Sequence, residues 1–272
     1  MAEQPHILIK ADKAISKSDN DSSRTVLNVC RSGVQVGQFS EDLLTLIEFR
    51  VFEFQYCASN TSWAENLRSI LDRISIEESL VLFNPDGFTL IPENLYRNED
   101  HDRYFELNGL KLQDMTITRS ELPDGKGILL SLLPNEIWRH LQTFDLKPDL
   151  YPHLTGRLTN GPTMRLILRE ENIDIIVQDP EVRMLNRFSA DHSNDILYFC
   201  VSCCEQCGNE PSEQTVIVSG DSHRTVEIKT LLSKYFKTVI SPDTPKKVKT
   251  PYGFKDLDAS AYFPILNSYL CV

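Results

Sequence analysis

The segment Val182-Arg-Met-Leu-Asn-Arg-Phe188 opens a stretch that runs on to Val239 and alternates predicted strands with predicted helices. The residue pattern predicts a strand over 182–188, a helix over 191–207 and a second strand over 215–219. That second strand runs into Gly220-Asp221-Ser222, and a second helix follows over 222–236. Strands that alternate with helices, with sharp turns between them, indicate an α/β protein.

Both halves of the chain follow one order of elements. In the second half, predicted strands over 163–169 and 173–178 precede the stretch above. The first half has predicted strands over 25–30 and 34–39, with Arg31-Ser32-Gly33 as the tight turn between them. A third strand with alternating apolar residues, a helix and a buried strand over 79–83 follow. Three antiparallel strands followed by α, β, α units are typical of the ribonuclease-H-like fold.

Two copies of this order in one chain predict the actin-like arrangement, a mixed-sheet α/β fold with two domains around a cleft. We expect a flexible N-terminal lead over 1–23 and a first ribonuclease-H-like domain over 24–150. The second domain then spans 151–272 and includes a C-terminal tail. The junction falls where prolines and glycines crowd, between 145 and 162.

Two local signals predict where helices of the first half begin. The spacing Ser62-Trp-Ala-Glu65 is that of a capping box, which predicts a helix that starts at Ser62. Pro134 suits the first position of a later helix, because proline has no backbone N–H to lose there.

Composition limits the classes of partner. The formal charge of −11 over 272 residues would repel phosphate backbones and anionic lipid surfaces, so we expect neither nucleic acid nor a membrane surface as partner. No apolar run approaches the ~20 residues that a membrane-spanning helix needs, so we expect no membrane span. Met1-Ala-Glu-Gln-Pro5 has no secretory signal pattern, and we expect a cytoplasmic location.

Four of the seven cysteines crowd into one predicted helix, at Cys200, Cys203, Cys204 and Cys207. The spacing i, i+3, i+4, i+7 puts all four thiols on one helical face, where they cannot surround a single ion tetrahedrally. Because cysteine is among the most often buried residues, this face favours core packing. Metal or redox chemistry at these thiols stays as the alternative, with no metal in the favoured interpretation.

Several segments resemble a bacterial family of unknown function, found chiefly in the Bacteroidetes, that is described as adopting an actin-like ATPase fold. The resemblance covers roughly residues 24–240. The residues that carry it are Leu80-Val-Leu-Phe-Asn-Pro-Asp-Gly-Phe-Thr-Leu-Ile-Pro-Glu-Asn-Leu-Tyr96, Leu185-Asn-Arg-Phe188, Asp195-Ile-Leu-Tyr-Phe199, Val216-Ile-Val-Ser-Gly220 and Leu232-Ser-Lys-Tyr235. The segment 216–236 is also similar to the strand-glycine-helix element that meets adenosine in actin-like ATPases and in pilus-assembly ATPase-like proteins.

The resemblance implies where a nucleotide would bind. Actin-like ATPases hold phosphates on two hairpin turns that carry glycines and an aspartate, with Mg²⁺ between them. The first turn here offers Arg31, Ser32 and Gly33 but no aspartate. The second, Arg169-Glu-Glu-Asn172, has no glycine. The third element keeps Ser219, Gly220, Asp221 and Ser222, which could contact a nucleotide or simply cap the following helix.

The expected function is therefore that of a non-catalytic actin-like scaffold or partner-binding module whose phosphate turns have degenerated. It needs no cofactor, and its partner is another protein. The alternative is a nucleotide-binding ATPase or kinase of the actin-like superfamily that binds ATP and Mg²⁺. A thiol or zinc protein built on the cysteine helix is the third hypothesis.

Overall fold

The structure is a computed structural model of the whole chain. It describes residues 6–10, 23–41, 43–54, 59–74, 76, 79–85, 87–107, 109–122, 125–146, 148–150, 163–169, 172–179, 181–220, 222–250, 252–254 and 260–268. The predicted turn residues Glu170, Glu171 and Asp221 lie outside these ranges, as does most of the predicted domain junction.

Strands dominate the described part of the chain. In chain order they are β1 (Ile7–Lys10), β2 (Ser23–Cys30), β3 (Gly33–Ser40), β4 (Leu46–Glu53), β5 (Leu80–Phe83), β6 (Gly87–Pro92), β7 (Met115–Glu121), β8 (Gly127–Pro134), β9 (Pro148–Leu150), β10 (Thr163–Leu168), β11 (Asn172–Gln178), β12 (Val182–Ser189), β13 (Thr215–Gly220) and β14 (Thr238–Ile240). The α-helices are α1 (Asn60–Leu71), α2 (His101–Leu107), α3 (Asn135–Thr143), α4 (Ser193–Gln206), α5 (Ser222–Leu232) and α6 (Phe263–Leu266).

The first two sheets share one topology. The first sheet has the strand order β1-β4-β3-β2-β5-β9 and the second has β12-β11-β10-β13-β14. In each, three antiparallel strands are followed by strands that pair in parallel with the first of the three, as β2 pairs with β5 and β10 with β13. This repeated order confirms the predicted duplicated ribonuclease-H-like plan. A third, smaller sheet of β6-β8-β7 follows β5 in the chain.

Helices cover the outer faces of the first two sheets. Trp63 and Leu67 of α1 pack with Ile137 and Leu141 of α3 on the first sheet, as the apolar face of each predicted helix requires. On the second sheet, α4 and α5 form the equivalent layer. The buried side chains of that layer include Ile196, Cys200, Cys203, Cys204, Ile228 and Leu232.

Two helices begin at different residues from those predicted, for local reasons. Helix α1 starts at Asn60, because the hydroxyl of Ser59 caps it by accepting the N–H of Ser62 at 3.2 Å. Ser62 is therefore the third helical residue rather than the cap. Pro134 has extended backbone angles, φ −55° and ψ 135°, and ends β8. Helix α3 then begins one residue later, at Asn135.

The two ends of the chain add to the first sheet. Part of the predicted lead forms β1, which pairs antiparallel with β4 from Ile7↔Val51 to Lys10↔Glu48; residues 11–22 lie outside the described ranges. The tail returns from the second sheet, since Lys249 forms a bridge with Thr45 and α6 packs against β2 and β3. The predicted second domain thus ends on the first sheet. Within the described residues, no helix is long and apolar enough to cross a membrane.

Apolar side chains fill the space between the three sheets. This central core takes Val26 and Phe39 from the first sheet, Ile167 and Ile176 from the second, and Phe88 and Leu129 from the third. The tail contributes Val248, Phe254, Phe263, Ile265 and Leu266 to the same core. The inner faces of the sheets are therefore joined through buried hydrocarbon.

Candidate functional site between the two sheets

The first predicted turn is held against its own domain. The guanidinium of Arg31 donates to Oδ1 of Asn60 at 3.0 Å and lies 5.1 Å from the ring centre of Trp63, both on α1. The backbone oxygen of Ser32 accepts the N–H of Phe54. A Cβ on Gly33 would lie 2.0 Å from the carbonyl oxygen of Phe52, so only glycine fits.

The strand ends that lead into the second and third predicted turns lie side by side. Strands β10 and β13 run parallel, and Leu168 at the end of one is level with Gly220 at the end of the other. Gly220 has φ +103°, and a Cβ there would lie 2.0 Å from the carbonyl oxygen of Leu168. The backbone N–H of Gly220 donates to the carbonyl oxygen of Ser260 at 3.1 Å. Ser219 is buried beside it, and Ser222 is the first residue of α5.

A buried ion cluster joins the ends of the two main sheets. We call Asn84, Pro85, Arg169, Asp174 and Arg187 the bridging cluster. Asp174 accepts from Arg169 Nε at 2.8 Å and from Arg187 Nε at 2.6 Å. Arg187 also donates to Asn84 Oδ1 at 3.0 Å and to the carbonyl oxygen of Pro85. Because Asn84 follows β5 and Asp174 lies on β11, Arg187 links the first sheet to the second.

The electrostatics of the bridging cluster depend on Asp174, whose side chain is 1% exposed. Burial raises the pKa of this carboxyl, and the charges and hydrogen bonds of Arg169 and Arg187 outweigh that effect, so its pKa lies below the ordinary value. The carboxylate is thus ionised at neutral pH and balances one of two guanidinium charges. Arg224 continues the polar network, donating to the carbonyl oxygens of Arg169 and Ala190.

The C-terminal segment 260–268, which we call the strap, packs against the end of β13. Ser260 Oγ donates to the carbonyl oxygen of Val218 at 3.4 Å, so the strap contacts the end of β13 twice. Tyr262 packs edge-on against Phe49 of the first sheet at 4.8 Å between ring centres. Ile265 lies so close to β3 that a Cβ on Gly37 would come within 2.8 Å of its Cγ2. The strap therefore spans from the second sheet to the first.

The cysteine face is part of the core of the second domain. Burial raises the pKa of the Cys203 thiol to about 12 and that of Cys204 to about 11, with smaller contributions from neighbouring charges. The thiolate is the form that binds metals, and raising the pKa disfavours it. Among the described residues, no group of three or more His, Cys, Asp or Glu side chains could hold a metal ion.

Sequence reasoning missed the bridging cluster and the strap. One signal was available, because Asp174 interrupts an apolar run from Ile173 to Val177 in a predicted strand. A carboxylate in such a position needs charged partners. Its partners come from positions distant in sequence, so no local pattern identifies them.

The comparisons with known proteins agree with this architecture. A family model described as "Protein of unknown function (DUF3822)" matches residues 40–239. No curated protein matches the sequence.

Two solved structures are similar along nearly the whole chain. One is a protein of Bacteroides thetaiotaomicron described as having an actin-like ATPase fold and unknown function; it has a TM-score of 0.74, 14% identity, and coverage of 94% of this chain and 99% of that one. The other is a chain of the PilM–PilN type IV pilus biogenesis complex, with a TM-score of 0.58, 9% identity, and coverage of 92% and 98%. At these identities the likeness shows the fold, and it confirms the predicted actin-like ATPase fold.

Proposed function

Since the chain belongs to the DUF3822 family of proteins of unknown function, we propose a function from its geometry: a non-catalytic, partner-binding module of the actin-like ATPase fold. In this proposal the chain itself closes the end of the cleft beside Leu168 and Gly220, the strand ends that lead into the second and third predicted turns. The protein then acts through a binding surface rather than through nucleotide turnover.

The bridging cluster is the observation that carries the proposal. A triphosphate between two domains needs free cations and N–H groups at the turns. Here Asp174 on β11 already pairs with the two guanidinium groups that flank it in the second sheet, those of Arg169 after β10 and Arg187 on β12. The carboxylate of Asp174 balances the positive charge that a bound anion would otherwise balance.

Two other groups of the predicted nucleotide site are also engaged within the chain and do not suit a bound magnesium triphosphate. The N–H of Gly220 is donated to Ser260, and Arg31 is engaged with α1. The glycine at 220 is required by the carbonyl oxygen of Leu168, which a side chain would overlap. Arg31 and Gly220, two features that survive from the predicted nucleotide site, thus each have a structural partner within the chain.

A role for the protein in binding a partner protein is supported by its fold and requires no nucleotide chemistry. One structure that shares the fold is a chain of the PilM–PilN type IV pilus biogenesis complex, in which the protein is one component of an assembly. We propose the same general role here, as a component that contacts another protein, with the identity of that protein open.

Calorimetric titration of ATP·Mg²⁺ and of ADP·Mg²⁺ tests the non-catalytic half. We expect no saturable heat with either nucleotide. Micromolar binding that is lost in Gly220→Trp and kept in Gly109→Trp would overturn the proposal. Gly109 is the matched control, because it also has a positive φ but no atom lies within 4 Å of an added Cβ.

A further inference from the structure

A cavity of about 290 Å³ opens between the third sheet and the edge of the second. Strands β6 and β8 line one side, and residues 182–186 of β12 line the other. About half of its lining is apolar, with Leu90, Pro92 and Leu122 on one side and Val182 and Leu185 on the other. Its volume is near the lower limit of the ~300–1,000 Å³ found for ligand sites, which is enough for one or two large side chains.

Each side of the cavity is the outer edge of a sheet. Strand β6 is the end strand of the third sheet and β12 is the end strand of the second. Although they pack against each other, they form no ladder within the part of the chain that the structure describes. Edge strands present backbone N–H and C=O groups that another strand can pair with.

The register identifies which backbone groups of β6 face outward. The N–H of Glu93 donates to the carbonyl oxygen of Lys126, directly opposite, so this is a hydrogen-bonded pair of the β6–β8 ladder. Backbone direction alternates along an antiparallel strand. Ile91 and Thr89 therefore face β8, whereas Leu90 directs its N–H and C=O to the outer edge, at the cavity.

The opposite edge is blunted. The N–H of Arg187 is capped by Oδ1 of its neighbour Asn186 at 2.9 Å, and the β11–β12 register shifts at Val177/Gln178. Bulges and capped groups protect an edge from pairing. At the inner end Arg187 lies 5.1 Å from the ring centre of Phe88 and closes the gap. The edge of β6 at Leu90 is therefore the one that can accept a strand.

Charge limits the occupant further. Among the described residues that line the cavity, Lys126 and Arg183 are charged and none carries a carboxylate, in a chain with a net charge of −11. Lys126 pairs with Glu181, and Arg183 lies 3.7 Å from Asp179. Both ion pairs are substantially exposed, and such pairs contribute only about 0–1 kcal/mol. A carboxylate on the occupant could therefore replace either acidic partner at little cost.

We propose that this cavity binds a short extended segment of a partner protein. The segment seats one apolar side chain between Leu90 and Val182, pairs its main chain with the N–H and C=O of Leu90, and places an acidic residue near Lys126. This inference rests on the proposed function for the occupant being a protein. The two can fail separately, because the nucleotide titration does not involve this cavity.

Fluorescence anisotropy with synthetic peptides tests the inference. The probes are peptides of about six residues in which Val, Ile or Leu alternates with Thr, with Glu at both ends, and a matched set with Lys at both ends. We expect the Glu-ended set to contain saturable binders that bind better than their Lys-ended counterparts. N-methylation of the central amides should abolish binding, because it removes main-chain donors.

Variants of the protein locate the site. Leu90→Pro removes the outward N–H and should weaken binding by about tenfold or more. Ile117→Pro is the matched control on the far edge of the same sheet, where the register also turns the N–H outward. Val182→Trp should also weaken binding, because its larger side chain fills the cavity while the backbone N–H groups stay unchanged. Lys126→Met should reduce the preference for Glu-ended peptides, whereas the exposed Lys111→Met should not.

Four results would overturn the inference. They are no binding by any peptide of the Glu-ended set, binding that N-methylation leaves intact, binding that survives both Leu90→Pro and Val182→Trp, and self-association of the wild-type chain in sedimentation that Leu90→Pro abolishes. The last result would assign the edge to a second copy of this chain instead.

Discussion

Replacing Asp174 with Asn tests the bridging cluster directly. The substitution keeps the size of the side chain but removes the only carboxylate that the two arginines share in the described structure. Arg169 and Arg187 would then lie together with side chains that are 20% and 13% exposed. Breaking a buried ion pair by removing one partner costs about 3–5 kcal/mol. Because both guanidinium groups keep some contact with solvent, we expect a loss of about 3 kcal/mol.

Urea unfolding followed by tryptophan fluorescence measures this loss as a fall in the midpoint at unchanged slope. Asp179→Asn is the matched control, because its ion pair with Arg183 is exposed and should contribute less than about 1 kcal/mol. In Asp174→Asn combined with Arg187→Met, one unbalanced charge is gone. The double variant should therefore be more stable than the sum of the two single losses implies.

A loss below about 1 kcal/mol for Asp174→Asn, or strict additivity in the double variant, would contradict the stabilising role of Asp174. Either result would mean that water or other groups balance the arginines. The cluster would then not brace the two sheets, and the end of the cleft could be open to an anion. The bridging cluster would then no longer disfavour a nucleotide in the cleft.

Three further outcomes are expected. Folding lowers the pKa of Asp174. Its contribution to stability is therefore complete above the unfolded pKa of about 3.9 and is lost as pH falls through the folded pKa. The free energy of unfolding should consequently depend less on pH in Asp174→Asn than in the wild type when both are titrated with acid. Gly220→Ala should cost about 1–3 kcal/mol, because its Cβ would overlap the Leu168 carbonyl, whereas Gly109→Ala should cost less, and thermal melting compares them. Native Cys203 should resist alkylation at pH 8, because this pH lies about four pH units below its raised pKa of about 12. The thiol should react once the protein is unfolded, and peptide mass mapping detects the modification. Stoichiometric zinc in the purified protein would contradict a packing role for the cysteines.

Much of the fold could be predicted because buried helices and strands leave short-range patterns of apolar residues in the sequence. The alternation in β4, the apolar face of α1 and the turn at Gly33 depend on near neighbours in sequence, so the strand order of both halves could be predicted from them. The helix cap at Ser59 was missed because two overlapping serine signals, at 59 and 62, compete. Pro134 was misplaced because proline suits both a strand end and a helix start.

The candidate site resisted prediction because its contacts are long-range. Arg187 meets Asn84 across 103 positions, and Ser260 meets Gly220 only after the tail returns to the first sheet. The sequence pattern at 219–222 predicted a nucleotide contact or a helix cap, yet the constraint on Gly220 comes from the neighbouring strand end. A glycine that a fold keeps for backbone clearance has the same local signature as one kept for a ligand. The atom that approaches it distinguishes the two, and here that atom is the Leu168 carbonyl oxygen.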